Sequence, residues 1–201
     1  MPGHSSLFNI LAFIFVYITE TMLNKRQTEI IKILKKLDMN CKSNNPSSNL
    51  YYNTFYDLII REGVFYSKGN WNVEELDLIN NVFSKIKKSI KPSCCFYNSQ
   101  LAVVFDKSNL IKYHEGFYYM EDGFPALHGW NTLNGKLLDF TYEYKLKIDF
   151  PENSHIGIEV NKAWVLDCFK TKPQSTSYID NWEEGYPALK SKHKVDSSLM
   201  R

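Results

Sequence analysis

Residues 125–141, PALHGWNTLNGKLLDFT, decide the fold. Asn134-Gly135 divides two runs rich in strand-forming residues, and both accept the positive φ that a tight two-residue turn demands. The pair predicts an antiparallel hairpin in which Leu133 faces Lys136, Trp130 faces Asp139 and His128 faces Thr141. Opposed residues share a face, as do residues two apart along a strand. His128, Trp130, Asp139 and Thr141 are therefore expected to point one way, with His128 and Asp139 as diagonal neighbours about 7–8 Å apart at the backbone. An imidazole N–H on one strand then comes within reach of a carboxylate on the other. A slip of one residue would undo this.

Upstream of the hairpin, IKYHEGFYYM (111–120) is aromatic and reads as another strand. Farther back the period changes. Ile30, Ile31, Leu34 and Leu37 recur at three- and four-residue steps, a helical stripe, and residues 50–60 read as a second helix. Residues 39–49 are turn-rich and read as a loop. After the break at GNWN (69–72), Leu76, Ile79, Val82, Phe83 and Ile86 mark a long helix over 73–90 that ends before Pro92. EVNKAWVLDCF (159–169) reads as a last short helix. Helices first and an antiparallel sheet afterwards make an α+β domain.

The 201 residues are 44 % hydrophobic, with 13 Phe and 13 Tyr, which supports one packed core rather than disorder. A net charge of +2 carries no strong single-sign field, so nucleic acid is not an expected partner. The lysines of KIKKSIK (85–91) read as a solvated helix flank. Cys41, Cys94, Cys95 and Cys168 form neither a CxxC pair nor a disulfide framework, which points to free thiols in a reducing, cytoplasmic compartment. No cofactor is expected. A metal site from Cys94, Cys95, His114 and His128 is a minor alternative, because adjacent cysteines ligate one ion poorly. Leu7–Thr19 is apolar but shorter than the roughly 20 residues of a membrane span. Residues 1–21 are read as an extension that adds nothing to the fold, with Met22 opening an amphipathic helix. The rival is a membrane-anchored or secreted form, the one route to a membrane partner. The single domain is placed at 22–186 and a flexible tail at 187–201.

CCFYNSQLAVVF (94–105) then supplies a candidate nucleophile. With Ser93 as the cap of a helix, Cys94 or Cys95 falls in its first turn, where unpaired N–H groups and the macrodipole favour a thiolate, the reactive form. The same N–H groups can serve as oxyanion donors. Cys95 shares its helical face with Asn98, Ser99 and Ala102, small enough for close approach to a sheet. Cys94 aligns with the bulkier Tyr97 and Leu101. Plainer readings stand beside this one: small buried core cysteines, and a surface His and Asp that meet across a hairpin.

Taken in order, CFYNS (95–99), ALHGWN (126–131) and GKLLDFT (135–141) resemble the transglutaminase-like branch of the papain-type cysteine enzymes. There a helix amino terminus carries the cysteine, and two adjacent strands carry the histidine and the acid. H-G-W and D-F-T are similar to the His-Ala-Trp and Asp-Pro-Thr signatures, with Gly129 in place of alanine and Phe140 in place of proline. A cysteine followed three residues later by Asn98 also resembles arylamine N-acetyltransferases. The resemblance implies a papain/transglutaminase-like fold, N-terminal helices packed on an antiparallel sheet. It implies Cys95 as nucleophile, His128 as base and Asp139 as the group that orients it, with Asn98 and Trp130 in support. The implied activity is acyl transfer, first of all hydrolysis of an amide in a protein or small molecule. Transfer to an amine, as in a transglutaminase or N-acyltransferase, is the alternative within the class. A non-catalytic interaction protein that keeps the fold is the alternative outside it.

Overall fold

The computed structural model describes residues 24–44, 50–119, 123–149, 151–171, 176–181 and 183–190. The expectations for residues 1–21 and 191–201 fall outside the described residues.

Among the described residues the chain forms five α-helices. Helix α1 spans Lys25–Asn44, running past the start of the loop expected from residue 39, since neither Gly nor Pro stands between Lys25 and Pro46. Helix α2 is Phe55–Glu62, shorter than expected because Thr54 turns extended and caps it by accepting from Asp57 N–H. Helix α3, Val73–Ile86, opens on a capping box in which Asn72 and Glu75 satisfy each other's backbone N–H groups. It stops four residues short of the expected end. Helix α4 is Cys95–Phe105 and α5 is Lys162–Thr171. The last helix starts later than expected, because residues 159 and 160 belong to a strand.

Five strands, β1 (Val64–Tyr66), β2 (Ile111–Tyr119), β3 (Pro125–Leu133), β4 (Lys136–Leu138) and β5 (His155–Val160), form one sheet in the order β1-β5-β2-β3-β4. All four pairings are antiparallel. The β3–β4 hairpin has the expected register, Leu133 opposite Lys136 and Asn131 opposite Leu138, with Asn134 and Gly135 at φ 51° and 76°. Strand β4 then ends at Leu138. Asp139 leaves it to cap a π-helix, Phe140–Leu146, so the expected facing of His128 and Thr141 does not occur. Thr141 turns instead to helix α4, where its Oγ1 accepts from Asn98 Nδ2.

Alternate residues give the sheet two unlike faces. On one, Phe117, Ile156 and Ile158 pack against Ile30 and Leu34 of α1 and Leu58 and Ile59 of α2. Beside them Ile111, Leu133, Leu138 and Val160 pack against Ile79, Val82 and Ile86 of α3 and Leu101 and Ala102 of α4. The other face is covered by the sheet's own curl. Leu137 N–H donates to Ser67 O at 2.9 Å, and Lys136 Nζ donates to Asn70 O at 2.8 Å. The segment after β1 thus lies along β4 and encloses His114, Tyr118, His128, Trp130, Leu137 and His155, all buried.

Two further packing features bear on the site. A Cβ on Gly157 would stand 2.4 Å from the Trp130 ring, so only glycine lets the indole lie flat there. On the helix side, the buried Glu115 carboxylate accepts from Ser177 Oγ (2.6 Å), Tyr178 N–H (2.7 Å) and Ile179 N–H (2.9 Å). This anchors the chain beyond α5. Residues 187–190, placed by expectation in a flexible tail, are packed instead. Pro187–Leu189 form a packed turn, with Ala188 and Leu189 buried and Leu189 O accepting from Tyr51 and Tyr52 N–H. Among the described residues no helix is long and apolar enough to cross a membrane.

Candidate active site

Helix α4 begins at Cys95, with Cys94 at the cap position and no side chain capping this end. The expected Ser93 cap is corrected: the helix starts at Cys95 with Cys94 at the cap position, so Ser93, at φ 63°, stands one residue too early. The first-turn N–H groups are therefore left for another acceptor. Asn98, fully buried, holds the helix end in place. Its Oδ1 accepts from Lys91 N–H (3.1 Å), and its Nδ2 donates to Lys91 O (2.7 Å) and Thr141 Oγ1 (3.0 Å).

Helix α4 lies hard against strand β3. Ser99 Oγ donates to Gly129 O at 2.9 Å, and Asn131 Nδ2 donates to Ser99 O at 2.9 Å. A Cβ at Gly129 would stand 2.8 Å from Phe96 Cδ1 and 3.1 Å from Phe96 Cα. Glycine at 129 thus permits an approach that alanine would obstruct. The next residue back, His128, is brought to the helix end.

There Cys95, His128 and Asp139 meet. His128 Nε2 lies 2.6 Å from Asp139 Oδ2. An ionised carboxylate only accepts, so Nε2 carries the proton and donates. The Cys95 side chain stands near enough to the imidazole to favour its charged form. Asp139 Oδ1 accepts from Thr141 N–H (2.8 Å) and Tyr142 N–H (2.9 Å), the first-turn donors of the π-helix. Cys95 is half-buried, whereas His128 and Asp139 are 1 % and 0 % exposed. Cys95 is the member of the trio with surface left to an outside molecule.

Burial alone would push the imidazole towards neutrality. The Asp139 charge and hydrogen bond override it, with help from Cys95, and raise His128 to about 10. Burial likewise opposes the charge of Asp139, but the His128 cation and hydrogen bond hold the carboxyl well below the usual carboxylate range. The pair is thus imidazolium and carboxylate at neutral pH.

Trp130 shares the face of His128, as expected, with its ring 6.2 Å away and 17° from parallel. Two neighbours carry no mark in the sequence reading. Tyr142, on the π-helix, stacks on the imidazole at 4.6 Å and 11°. His155 of β5 places Nε2 3.8 Å from Asp139 Oδ2. Alternation in HIGIEV could have flagged it, had those residues been read as a strand.

The metal set of Cys94, Cys95, His114 and His128 is not assembled. His114 Nε2 pairs with Thr132 Oγ1 at 2.9 Å and its ring lies under Tyr66. Among the described residues the ligand atoms that converge within 4.8 Å are those of His128, Asp139 and His155. Metal–ligand bonds of about 2.0–2.1 Å in a tetrahedron hold ligand atoms about 3.3 Å apart. The 2.6 Å contact between His128 and Asp139 is a hydrogen bond, too short for two ligands of one ion.

No family model matches the chain, and searches of curated proteins and of solved structures return no match either.

Proposed function

We propose that this chain is a cysteine-dependent acyl-transfer enzyme of the papain/transglutaminase-like kind, working through Cys95, His128 and Asp139. The observation that carries the reading is the buried 2.6 Å His128–Asp139 pair, whose imidazole lies near a partly buried cysteine at an uncapped helix start. Neither half is useful without the other. A buried ion pair alone is a costly structural element, and a helix-terminal cysteine alone is a packing residue.

The chemistry follows from the geometry. Cys95 Sγ, paired with the His128 imidazolium, attacks a carbonyl carbon and forms a C–S bond. The oxyanion is received by the free first-turn N–H groups of α4. His128 then gives its proton to the leaving amine as the C–N bond breaks, which leaves a thioester. Water, deprotonated by His128, cleaves that thioester and returns the thiol. Asp139 keeps the ring oriented with Nε2–H bonded and Nδ1 facing sulfur throughout. An amine in place of water gives transfer instead of hydrolysis. Hydrolysis is preferred because nothing around the site marks an amine or coenzyme pocket.

The test is alkylation at pH 6, read residue by residue by mass spectrometry, on wild type, Cys95→Ala, Cys94→Ala and His128→Ala. Fast labelling of Cys95 that disappears with His128→Ala supports an activated thiolate and selects acyl donors as the next screen. Labelling of Cys95 no faster than Cys94 and indifferent to His128 would make the protein an interaction module with a packed but idle trio.

A further inference from the structure

Asp139 is approached by two imidazoles, and the mechanism uses only one. His155 lies across the carboxylate from His128, fully buried, its Nε2 3.8 Å from the oxygen that His128 bonds. Its other nitrogen, Nδ1, is 3.0 Å from Ser154 Oγ. The ring is locked between Tyr118, with centroids 4.9 Å apart, and Trp130, edge-on at 5.1 Å. If Nδ1 carried the proton, a bare Nε2 lone pair would face a carboxylate, which repels it. If Ser154 O–H donates to Nδ1, the Nε2–H faces Asp139 and attracts it.

We propose that His155 is a positioning residue of the acyl-transfer site: a neutral imidazole, set by Ser154, that presents Nε2–H to Asp139 and holds that carboxylate in place and ionised for His128. The inference rests on the catalytic reading of the trio. Burial first, then the His128 charge, push His155 down to about 4 against the pull of Asp139, which agrees with a neutral ring. Asp139 then has Thr141 and Tyr142 N–H on Oδ1, His128 on Oδ2 and, at 3.8 Å and so beyond hydrogen-bond distance, the His155 ring as an electrostatic neighbour. Among the described residues, other ionisable groups on this face include Tyr66 and Lys68 at β1 and just beyond it, His114 and Tyr118 of β2, Tyr142 and Glu143 of the π-helix, and Cys95 of α4.

The experiment has two independent arms on the full chain. Imidazole ¹⁵N spectra at pH 7 read the tautomer directly. The expected state of His155 is protonated at Nε2 and bare at Nδ1; the opposite tautomer, or an imidazolium, overturns the proposal whatever the enzyme does. The second arm is the pH profile of Cys95 alkylation in His155→Phe, which keeps the ring but loses the N–H, and in His155→Gln, which keeps an N–H donor. In His155→Phe the rate at pH 6 should fall about tenfold, the scale of losing an outer partner of a catalytic group. Its acid limb should move up by about one pH unit, because a carboxylate with one donor fewer takes its proton more readily. His155→Gln should restore most of both. A Phe profile that overlays wild type, or equal loss in Phe and Gln, would reduce His155 to packing. Uptake of one zinc ion that both substitutions abolish would make it a ligand instead, and the proposal would fall. A wild-type Cys95 without enhanced reactivity would sink the catalytic reading but leave the tautomer result standing on its own.

Discussion

On the helix-covered face of the sheet, Phe117, Ile156 and Ile158 meet side chains that ask only for room. One residue along the same strands, Tyr118, His155 and Gly157 line an enclosed face that also holds the buried His128 and its hydrogen bond to Asp139. The difference lies in what each face tolerates. Apolar contacts are non-directional and fix the register by area alone. Once register is fixed, the period of two delivers His128, His155 and Trp130 to the inside without further choice. A polar interior, however, is an advantage only when its hydrogen bonds are complete. One face therefore fails gradually when altered and the other abruptly.

The largest effect should come from Asp139→Asn, which leaves the volume and removes the charge. An amide can present its own N–H to His128 Nε2 and force the proton to the wrong nitrogen. Cys95-dependent turnover, or alkylation at pH 6 until a substrate is known, should drop about a thousandfold or more. Circular dichroism should still report the same fold. A loss below tenfold would mean that the inside face is only packing.

On the outside face, Ile158→Ala should cost about 2–5 kcal/mol in urea denaturation. The protein that remains folded should alkylate at Cys95 at the wild-type rate. Coupled loss of reactivity and stability would break the separation between the faces. The glycines lie where the faces touch. Gly157→Ala and Gly129→Ala should each cost about 1–3 kcal/mol from overpacking. Gly157 should be the worse of the two, since its Cβ would meet Glu115 O at 2.3 Å as well as the indole. Gly129→Ala presses on Phe96 at the start of α4 and should slow Cys95 more than it unfolds the chain.

Acid separates the two histidines. His155, held down to about 4 against an ordinary 6.5, binds its proton more tightly when unfolded. Its contribution to stability is complete above pH 6.5 and is lost as pH falls through 6.5 towards 4, at up to about 1.4 kcal/mol per pH unit. His128, raised to about 10, runs the other way: its contribution is complete below pH 6.5 and is lost as pH rises through 10. Denaturation midpoints of His155→Gln should flatten between pH 6.5 and 4 and keep the alkaline decline. A wild-type acid limb in that variant would mean that other groups carry it.

Much of this contrast was legible in the sequence, and the missing parts have identifiable causes. Asn134-Gly135 gave the hairpin register because a tight turn leaves no freedom, and register brought His128 to Asp139. The path Asp139 takes was not legible. FTYEYKL alternates like a strand, yet it forms a π-helix because Asp139 caps it with two backbone bonds. Tyr142 is placed by that helix and so was invisible. His155 was missed because HIGIEV runs straight into α5, and no Gly or Pro marks where strand becomes helix. The anchoring of residues 177–179 by Glu115 depends on a partner more than sixty positions away, and no local pattern carries it.

The smallest effect, and the finest test of the helix start, is Cys94→Ser. Serine is a favoured cap, and a cap normally adds about 1 kcal/mol over a residue that cannot supply it. Thr54 and Asn72, which do cap, have ψ of 165° and 175°; Cys94 has ψ of 46°. At that angle a serine hydroxyl does not line up with the first-turn N–H groups, so Cys94→Ser should change stability by less than about 0.5 kcal/mol. Cys95 alkylation should stay within about twofold of wild type, since Cys95 keeps both the helix end and His128. A gain near a full cap would mean that the backbone at residue 94 can swing to the extended form and close the site's N–H groups. Turnover should then fall as stability rises, because the groups proposed to receive the oxyanion would already be occupied.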